Sequence, residues 1–149
     1  MNWEHEAEFI VNWLRDKVSA ANAKGLVIGL SGGIDSSVVA ALSKRAFPDN
    51  VVGVIMPCQS NPQDAEHGQL VAKTFNIPVH VVDLCDTYNS FISTVSATDG
   101  QEVVQLTKAN VKPRLRMTTL YYFAGANNYL VVGTGNRSEL EIGYFTKYG

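Results

Sequence analysis

Short apolar runs alternate with longer segments of mixed polarity along most of the chain. The runs lie at residues 26–30, 51–56, 79–82 and 129–132, and each has glycine or proline at or near one end. Runs of this length that are rich in valine, leucine and isoleucine are typical of strands buried on both faces of a parallel sheet. Four such strands are therefore predicted, with helical segments between them.

The segments between the runs show helical periodicity. The first twenty or so residues predict an amphipathic helix with apolar residues at helical spacing, namely Ile10, Trp13, Leu14 and Val18. Residues 36–46 and 84–95 predict two more helices. Asn61 is a suitable N-cap and Pro62 suits a first helical position, so a further helix is expected from there to about Phe75. Its inward residues are predicted to be Val71, Ala72 and Phe75.

The part of the chain before the fourth run contains a turn signal and a proline. Residues 96–102 are polar and include Asp99-Gly100, which predicts an exposed loop. Because proline is tolerated only in the first turn of a helix, Pro113 predicts a helix that begins near Asn110 and ends at Asn127-Asn128. The expected inward stripe of that helix is Val111, Leu115, Thr118 and Tyr122.

Strands that alternate with helices at this pitch predict the fold class. Each parallel crossover needs a connecting helix, so we expect an α/β fold with a doubly wound parallel sheet, Rossmann-like and three-layered, with helices on both faces. A length of 149 residues is enough for one such domain and too short for two, so residues 1–149 are expected to form a single domain. Ligands of these sheets lie beyond the carboxyl ends of the strands.

Composition and charge exclude several function classes. Twelve Lys and Arg residues against fourteen Asp and Glu residues give a net charge of -2, so no overall positive field attracts nucleic acid or anionic lipid. No apolar run approaches membrane-spanning length, and the polar, acidic N-terminus is unlike a secretory signal. Cys58 and Cys85 have no short spacing to each other or to a histidine, which favours two reduced thiols over a metal or redox site. A cytoplasmic protein is expected.

The first run leads into a glycine-rich turn, Ser31-Gly32-Gly33-Ile34-Asp35-Ser36-Ser37, before the next helix. Glycines at this place let backbone N–H groups close on a phosphate at the helix N-terminus. The turn lacks the Gly-Lys-Ser/Thr ending of the common phosphate loop and the spacing of the dinucleotide fingerprint. The alternative is a turn in which Asp35 and Ser36 only cap the helix.

This turn resembles the pyrophosphate loop of the ATP pyrophosphatases, which cleave ATP between its α- and β-phosphates. The resemblance implies an adenine nucleotide alpha hydrolase-like fold, a loop that holds the departing pyrophosphate, and an Asp35 that binds Mg²⁺. Met56 stands where that family places adenine. The ATP-binding residues implied by the loop and the second strand are Gly29, Leu30, Ser31, Gly32, Gly33, Ile34, Asp35, Ser36 and Met56.

The end of the chain resembles one particular family among the ATP pyrophosphatases. Gly133-Thr134-Gly135-Asn136-Arg137-Ser138-Glu139 and Gly143-Tyr144-Phe145-Thr146-Lys147-Tyr148-Gly149 resemble the signature of ammonia-dependent NAD synthetases. That family implies that Thr134 contacts ATP, that Glu139 is the second Mg²⁺ ligand, and that Lys147 contacts deamido-NAD. Without the resemblance, Glu139 and Glu141 read equally well as a solvated helix face and Lys147 as a surface lysine.

Residues 110–117 also resemble this family, in which the first arginine of the pair, here Arg114, touches deamido-NAD. Its planar guanidinium group can donate two parallel hydrogen bonds, which suits a phosphate or carboxylate. The alternative is a basic first helical turn, which the helix dipole disfavours unless an anion is near. In the family this helix packs against the same helix of a second subunit, so a homodimer is implied. Sequence does not separate that role from a core role for Tyr121, Tyr122 and Phe123.

The resemblance implies a ligase that adenylates the carboxylate of deamido-NAD with ATP, releases pyrophosphate, and forms NAD when ammonia displaces AMP. It requires no assigned general base, and Cys58 has no partnering histidine to make it a nucleophile. Ammonia is the expected nitrogen donor because 149 residues leave no room for a glutaminase domain. Because the family continues beyond the equivalent of Gly149, a domain that lacks its C-terminal portion is expected, and such a chain can be inactive.

Two alternatives remain open. A different ATP pyrophosphatase, such as a tRNA-thiolating enzyme, would be expected to carry an active cysteine or Cys-x-x-Cys and a basic surface. A fragment that only binds nucleotide, or only dimerises, is the other alternative.

Overall fold

A computed structural model describes residues 2–99 and 104–149 of the chain. Within those residues four parallel strands form one sheet, in the order β3-β2-β1-β4. The strands are β1 (Gly25–Gly29), β2 (Val51–Ile55), β3 (Val79–Val81) and β4 (Tyr129–Val132). The predicted doubly wound sheet is confirmed. The chain moves outward from β1 to β3 and then returns to the other side of β1, which places a topological switch point between β1 and β4.

Helices cover both faces of this sheet. They are α1 (Trp3–Ala20), α2 (Ile34–Ala46), α3 (Pro62–Thr74), α4 (Cys85–Asp99), α5 (Gln105–Ala109), α6 (Val111–Asn127) and α7 (Arg137–Ile142). In β1, Leu26 and Ile28 pack into one core cluster with α1, α2 and α3, whereas Val27 packs into a second with α4 and α6. All three are at most 2% exposed, so both faces of β1 are covered.

Local sequence signals fix two of the helix ends as predicted. The side chain of Asn61 accepts a hydrogen bond of 3.1 Å from Gln63 N, with Pro62 at the first position of α3. Asn128 ends α6 in the left-handed conformation, at φ 55°, which asparagine tolerates better than most residues. Its Nδ2 then donates to the carbonyl of Asn22 at 3.0 Å, which ties the approach to β4 to the loop before β1.

The loop predicted from Ser96 is wrong as far as Asp99, because α4 continues through those residues. The hydroxyls of Thr94 and Thr98 donate to carbonyls four residues earlier, so these polar side chains are accommodated within the helix. Residues 100–102 of the predicted loop, including Gly100 of the turn signal, lie outside the described residues.

Two predicted helix faces are partly wrong. In α1, Val11 is fully buried, whereas Trp13 is half exposed. In α6, Val111 and Leu115 face the core as predicted, but Thr118 is exposed and Tyr122 is 72% exposed. Leu120, Phe123 and Ala124 complete the packed face instead. Leu14 and Val18 of α1 are buried as predicted, so only part of each predicted face is wrong. The elements that pack against a helix, and not its periodicity alone, decide which side is covered. In the described residues no helix is long and apolar enough to cross a membrane.

Gly25 gives a test of the close approach between β1 and the loop before β2. A Cβ at Gly25 would overlap the carbonyl oxygen of Asn50, which accepts from Leu26 N at 2.9 Å. We expect Gly25→Ala to lower the free energy of unfolding by about 1–3 kcal/mol, because the backbone must shift. Urea unfolding followed by tryptophan fluorescence measures this.

The matched control is Gly125→Ala, in the last turns of α6, where a Cβ meets no atom within 4 Å. It should raise the unfolding free energy by about 0.5–1 kcal/mol, because alanine is a better helix former than glycine. Equal stability of the Gly25→Ala variant and the parent chain would contradict the close approach.

Candidate functional site

A cavity of about 1320 Å³ opens at the carboxyl ends of β1, β2 and β4. Gly29, Leu30 and Ser31 line it from β1, Met56 from β2, and Thr134 from the loop after β4. Small-molecule sites are commonly about 300–1,000 Å³, so this space accommodates a ligand of nucleotide size. The cavity lies beyond the carboxyl ends of the strands, where a ligand is predicted from the sequence, and it includes the switch point between β1 and β4.

The loop between β1 and α2 is organised by its own hydroxyl groups. The Oγ atoms of Ser31 and Ser36 are 3.0 Å apart, and Ser36 Oγ donates to the carbonyl of Gly33 at 3.0 Å. Ser36 is only 3% exposed. Gly33 is the N-cap of α2 and has no side chain with which to cap it, so the first N–H groups of the helix remain available to an anion.

Gly32 is required by its backbone and by its neighbours. Its φ of 79° lies in the left-handed region, and a Cβ there would be 2.7 Å from both the Asp64 carbonyl oxygen and His67 Cβ of α3. Gly33 differs, because its Cβ would meet only Ser31 Oγ, at 3.4 Å. The loop therefore packs closely against α3 at Gly32 and is open at Gly33.

Asn136 connects the loop after β4 to the loop after β1. Its Oδ1 accepts from Glu139 N at 2.9 Å, and its own N donates to Glu139 Oε2 at 3.0 Å, which forms a capping box at the start of α7. Its Nδ2 donates to Asp35 Oδ2 at 3.4 Å. The two carboxylates predicted to bind metal therefore approach the same asparagine from opposite sides of the switch point.

This pair of carboxylates fits Mg²⁺ better than a metal that needs a full set of protein ligands. Within the described residues, no three His, Cys, Asp or Glu side chains are grouped to hold a metal ion. Magnesium at nucleotide sites is usually held by one or two carboxylates together with water and substrate phosphates. Asp35 and Glu139 meet that requirement in number and in chemistry.

Arg114 and Lys147, both predicted to contact deamido-NAD, are brought together at the start of α6. Arg114 Nε donates to the carbonyl of Lys147 at 3.2 Å, and Thr146 Oγ1 lies 2.7 Å from Asn110 Oδ1. The ammonium of Lys147 lies 4.9 Å from the ring centroid of Tyr148. Arg114 and Lys147 are exposed, and the first turn of α6 contains no acidic residue to offset its positive charge.

Arg116 is a cavity residue that the sequence analysis does not identify. Its Nε donates to the carbonyl of Met56 at 3.2 Å, and its Nη2 donates to Ser60 Oγ at 3.0 Å. Residues two apart on a helix do not share a face, so Arg114 and Arg116 point to different parts of the molecule. The pair of arginines in the sequence is the signal that could have identified this residue. The sequence does not tell which of the two arginines faces the cavity.

The two cysteines differ in environment. Cys58 is fully buried, and burial raises the pKa of its thiol in spite of the opposing charges of Arg116 and Lys112. A higher pKa leaves less thiolate, which disfavours a nucleophilic role. Cys85 lines the cavity, and its Sγ accepts from Gln59 N at 3.2 Å.

Asp83, also in the cavity wall, accepts a hydrogen bond of 2.8 Å from Cys85 N. This hydrogen bond lowers the pKa of Asp83, so its carboxylate stays ionised.

Comparison with known proteins identifies relatives of the whole chain. A curated NH(3)-dependent NAD(+) synthetase of Carboxydothermus hydrogenoformans is 55% identical over 149 residues, which are 100% of this chain and 61% of that protein. The solved NH3-dependent NAD synthetase of Campylobacter jejuni has a TM-score of 0.92 and 35% identity, over 100% of this chain and 63% of that one. The solved NMN synthetase of Francisella tularensis has a TM-score of 0.92 and 33% identity, over 100% of this chain and 61% of that one.

These relatives match the chain from end to end, and the chain spans about three fifths of the length of the curated relatives that it matches. The family model described as NAD synthase matches residues 6–149, which include both glycine-rich loops, the arginine pair and the final segment. The chain therefore belongs to the NAD synthase family.

Proposed function

We propose that this chain forms the ATP-binding part of an enzyme that converts deamido-NAD and ammonia to NAD, with cleavage of ATP to AMP and pyrophosphate. The observation that carries the proposal is the cavity at the switch point, which both the β1–α2 loop and the β4–α7 loop line. The two loops are joined next to it by the hydrogen bond from Asn136 to Asp35. Membership of the NAD synthase family supports the choice of reaction.

In this proposal ATP lies across the carboxyl edge of the sheet. Its adenine is placed beside Met56 at the end of β2, which lines the cavity. Its phosphates lie on the turn that begins at Ser31 in the cavity wall and continues to Ser36. The uncapped N–H groups at the start of α2 donate to the β- and γ-phosphates, which leave as pyrophosphate. Thr134 contacts ATP from the β4 side of the cavity.

Asp35 and Glu139 would hold Mg²⁺ beside the phosphates. When bound there, the ion would supply positive charge to the departing pyrophosphate. Asn136 would orient both carboxylates, because it donates to each of them, through Nδ2 to Asp35 and through its backbone N to Glu139. The remaining electrostatic stabilisation comes from the loop N–H groups.

Arg114 and Lys147 would position deamido-NAD. A carboxylate oxygen of the substrate attacks the α-phosphorus as pyrophosphate leaves, and the nitrogen of ammonia then attacks the acyl carbon as AMP leaves with that oxygen. The docking of the final segment against α6, through Thr146 and Asn110, keeps Lys147 beside Arg114. No side chain of the chain needs to act as a nucleophile in this scheme.

Homodimer formation and a cytoplasmic location are also part of the proposal. Tyr121 and Tyr122 of α6 are 62% and 72% exposed, and of the two only Tyr121 lines the cavity. The exposed Tyr122 belongs to a face of α6 outside the cavity wall. Packing of this face against its twin would cover it. Both cysteines are free, as is usual in a reducing compartment.

A second candidate substrate is the mononucleotide form of the acid. The Francisella tularensis structure with the same TM-score is described as an NMN synthetase. The adenylation and amidation chemistry would be unchanged, because only the size of the acid substrate differs. Assays with both acids decide between the two.

The reaction itself is tested with ATP, Mg²⁺, ammonium and either deamido-NAD or nicotinate mononucleotide. The chain is assayed beside a chimera extended with the part of the Carboxydothermus hydrogenoformans relative that it does not match. We expect acid-dependent ATP–pyrophosphate exchange and amide formation with the chimera, and a loss of at least about a hundredfold in Asp35→Ala, because one of two proposed metal ligands is gone. Binding of ATP by the chimera without amidation of either acid would contradict the proposal, and glutamine in place of ammonium tests the nitrogen donor.

The glycine pair of the β1–α2 loop gives a second test. Gly32→Ala must shift either the loop or α3, so its affinity for Mg-ATP should fall at least about tenfold more than that of Gly33→Ala, which meets only a serine hydroxyl. Calorimetric titration measures both affinities. Equal losses in the two variants would show that the contact with α3 does not shape the phosphate site.

The two thiols give a third test. Cys85 should react with a disulfide reagent at neutral pH, and Cys58 should react only on unfolding, because it is buried and its pKa is raised. Mg-ATP should slow the reaction of Cys85, which lines the proposed site. Cys85→Ser identifies the fast thiol, and fast labelling that persists in this variant would contradict the assignment.

A further inference from the structure

Arg116 ties α6 to the loop that follows β2. Two of its N–H groups donate to two different partners in that loop, the carbonyl of Met56 at 3.2 Å and Ser60 Oγ at 3.0 Å. The fork geometry of a guanidinium allows both bonds at once, whereas an ammonium has no such fixed fork. A single side chain on α6 therefore fixes the start and the middle of the loop.

The loop needs such a restraint, because it contains a residue in an uncommon conformation. Gln59, between Cys58 and Ser60, has a φ of 53°, which is unfavourable for a residue with a side chain. Its side-chain Nε2 donates to Asn89 Oδ1 at 2.9 Å, and its backbone N donates to Cys85 Sγ. The conformation persists because contacts on both sides of Gln59 hold it, and Arg116 supplies those at Met56 and Ser60.

The bond from Arg116 also decides what the hydroxyl of Ser60 can do. Ser60 Oγ accepts from Arg116 Nη2 and from Cys58 N, the latter at 3.4 Å. A serine oxygen has two lone pairs and one hydrogen, so two accepted bonds leave only the hydrogen free to interact. Ser60 lines the cavity, and its hydroxyl is thereby set to donate to a ligand.

We propose that Arg116 and Ser60 form a recognition pair for the adenosine part of ATP, in which Arg116 is the positioning residue and Ser60 donates to a lone pair of the base or ribose. The inference rests on the proposed function, since that places adenine beside Met56. Arg116 acts through the Met56 carbonyl and the Ser60 hydroxyl, and it does not contact the phosphates.

The test compares three probes, Mg-ATP, adenosine and Mg-pyrophosphate, by calorimetric titration of the chain. Arg116→Ala should weaken adenosine and ATP binding about tenfold and change pyrophosphate binding less than about twofold. Arg116→Lys should lose nearly as much as Arg116→Ala, because it keeps the charge without the fork. Ser60→Ala should lose less adenosine affinity than Arg116→Ala. The double variant should lose no more adenosine affinity than Arg116→Ala, because both substitutions disrupt the same pair of residues.

Arg15→Ala is the matched control for stability. Arg15 also donates to two backbone carbonyls, those of Ala46 and Arg45 at 3.3 and 3.2 Å, but it does so on the α1 and α2 side of the sheet. It should lower stability without changing adenosine binding. An equal loss of adenosine affinity in Arg15→Ala would show that Arg116 only stabilises the fold, and it would overturn the proposal.

Two other outcomes overturn it. Loss of pyrophosphate binding with unchanged adenosine binding in Arg116→Ala would make Arg116 a phosphate contact. Full affinity in Arg116→Lys would show that charge alone is required. If the parent chain binds neither ATP nor pyrophosphate, the proposed function fails and the recognition pair fails with it, whereas binding that is insensitive to Arg116 and Ser60 removes only the pair.

Discussion

The parallel pairing of β1 with β2 on one side and β4 on the other is the constraint on which the site depends. Both faces of β1 are covered, and the strand is held in register by neighbours that are distant in sequence. Because all three strands run in the same direction, the loops that follow them open at the same edge of the sheet. This edge brings together the glycine-rich turn, the end of β2 and the loop that contains Thr134. The direction of the strands is enough to place them side by side.

Within that frame the fine structure of the site depends on polar contacts between elements. Asn136 joins the two loops at the switch point, Arg116 joins α6 to the loop after β2, and Arg114 joins α6 to the final segment. Each contact uses a side chain from one element and a partner from another, so the sheet sets the coarse positions and these residues set the details. The start of α6, which contributes both arginines, contacts two different walls of the site.

The strands were predictable because burial on both faces leaves an unbroken apolar signal, and β4 has the predicted bounds. Helix faces were less predictable. In α1, Leu14 and Val18 are buried as predicted, but Val11 rather than Ile10 completes the buried face, and this helix packs against α2. The helical course of residues 96–99 was missed because threonine hydroxyls return to the helix backbone. The capping box of α7 was not predicted, although Asn136 and Glu139 have the spacing of that motif. Nothing in the sequence placed Arg116, rather than Arg114, beside Met56.

Asn136 uses both ends of its side-chain amide, so chemical loss of that amide would affect its two partners differently. Its oxygen caps α7 and its nitrogen donates to Asp35, so the residue acts as acceptor and donor at once. Direct hydrolysis of the amide to aspartate would preserve the cap, since aspartate is an equally good N-cap. It would also replace an attraction to Asp35 with the repulsion of a third carboxylate. Slow loss of one amide group would thus leave the helix intact while separating the two halves of the site.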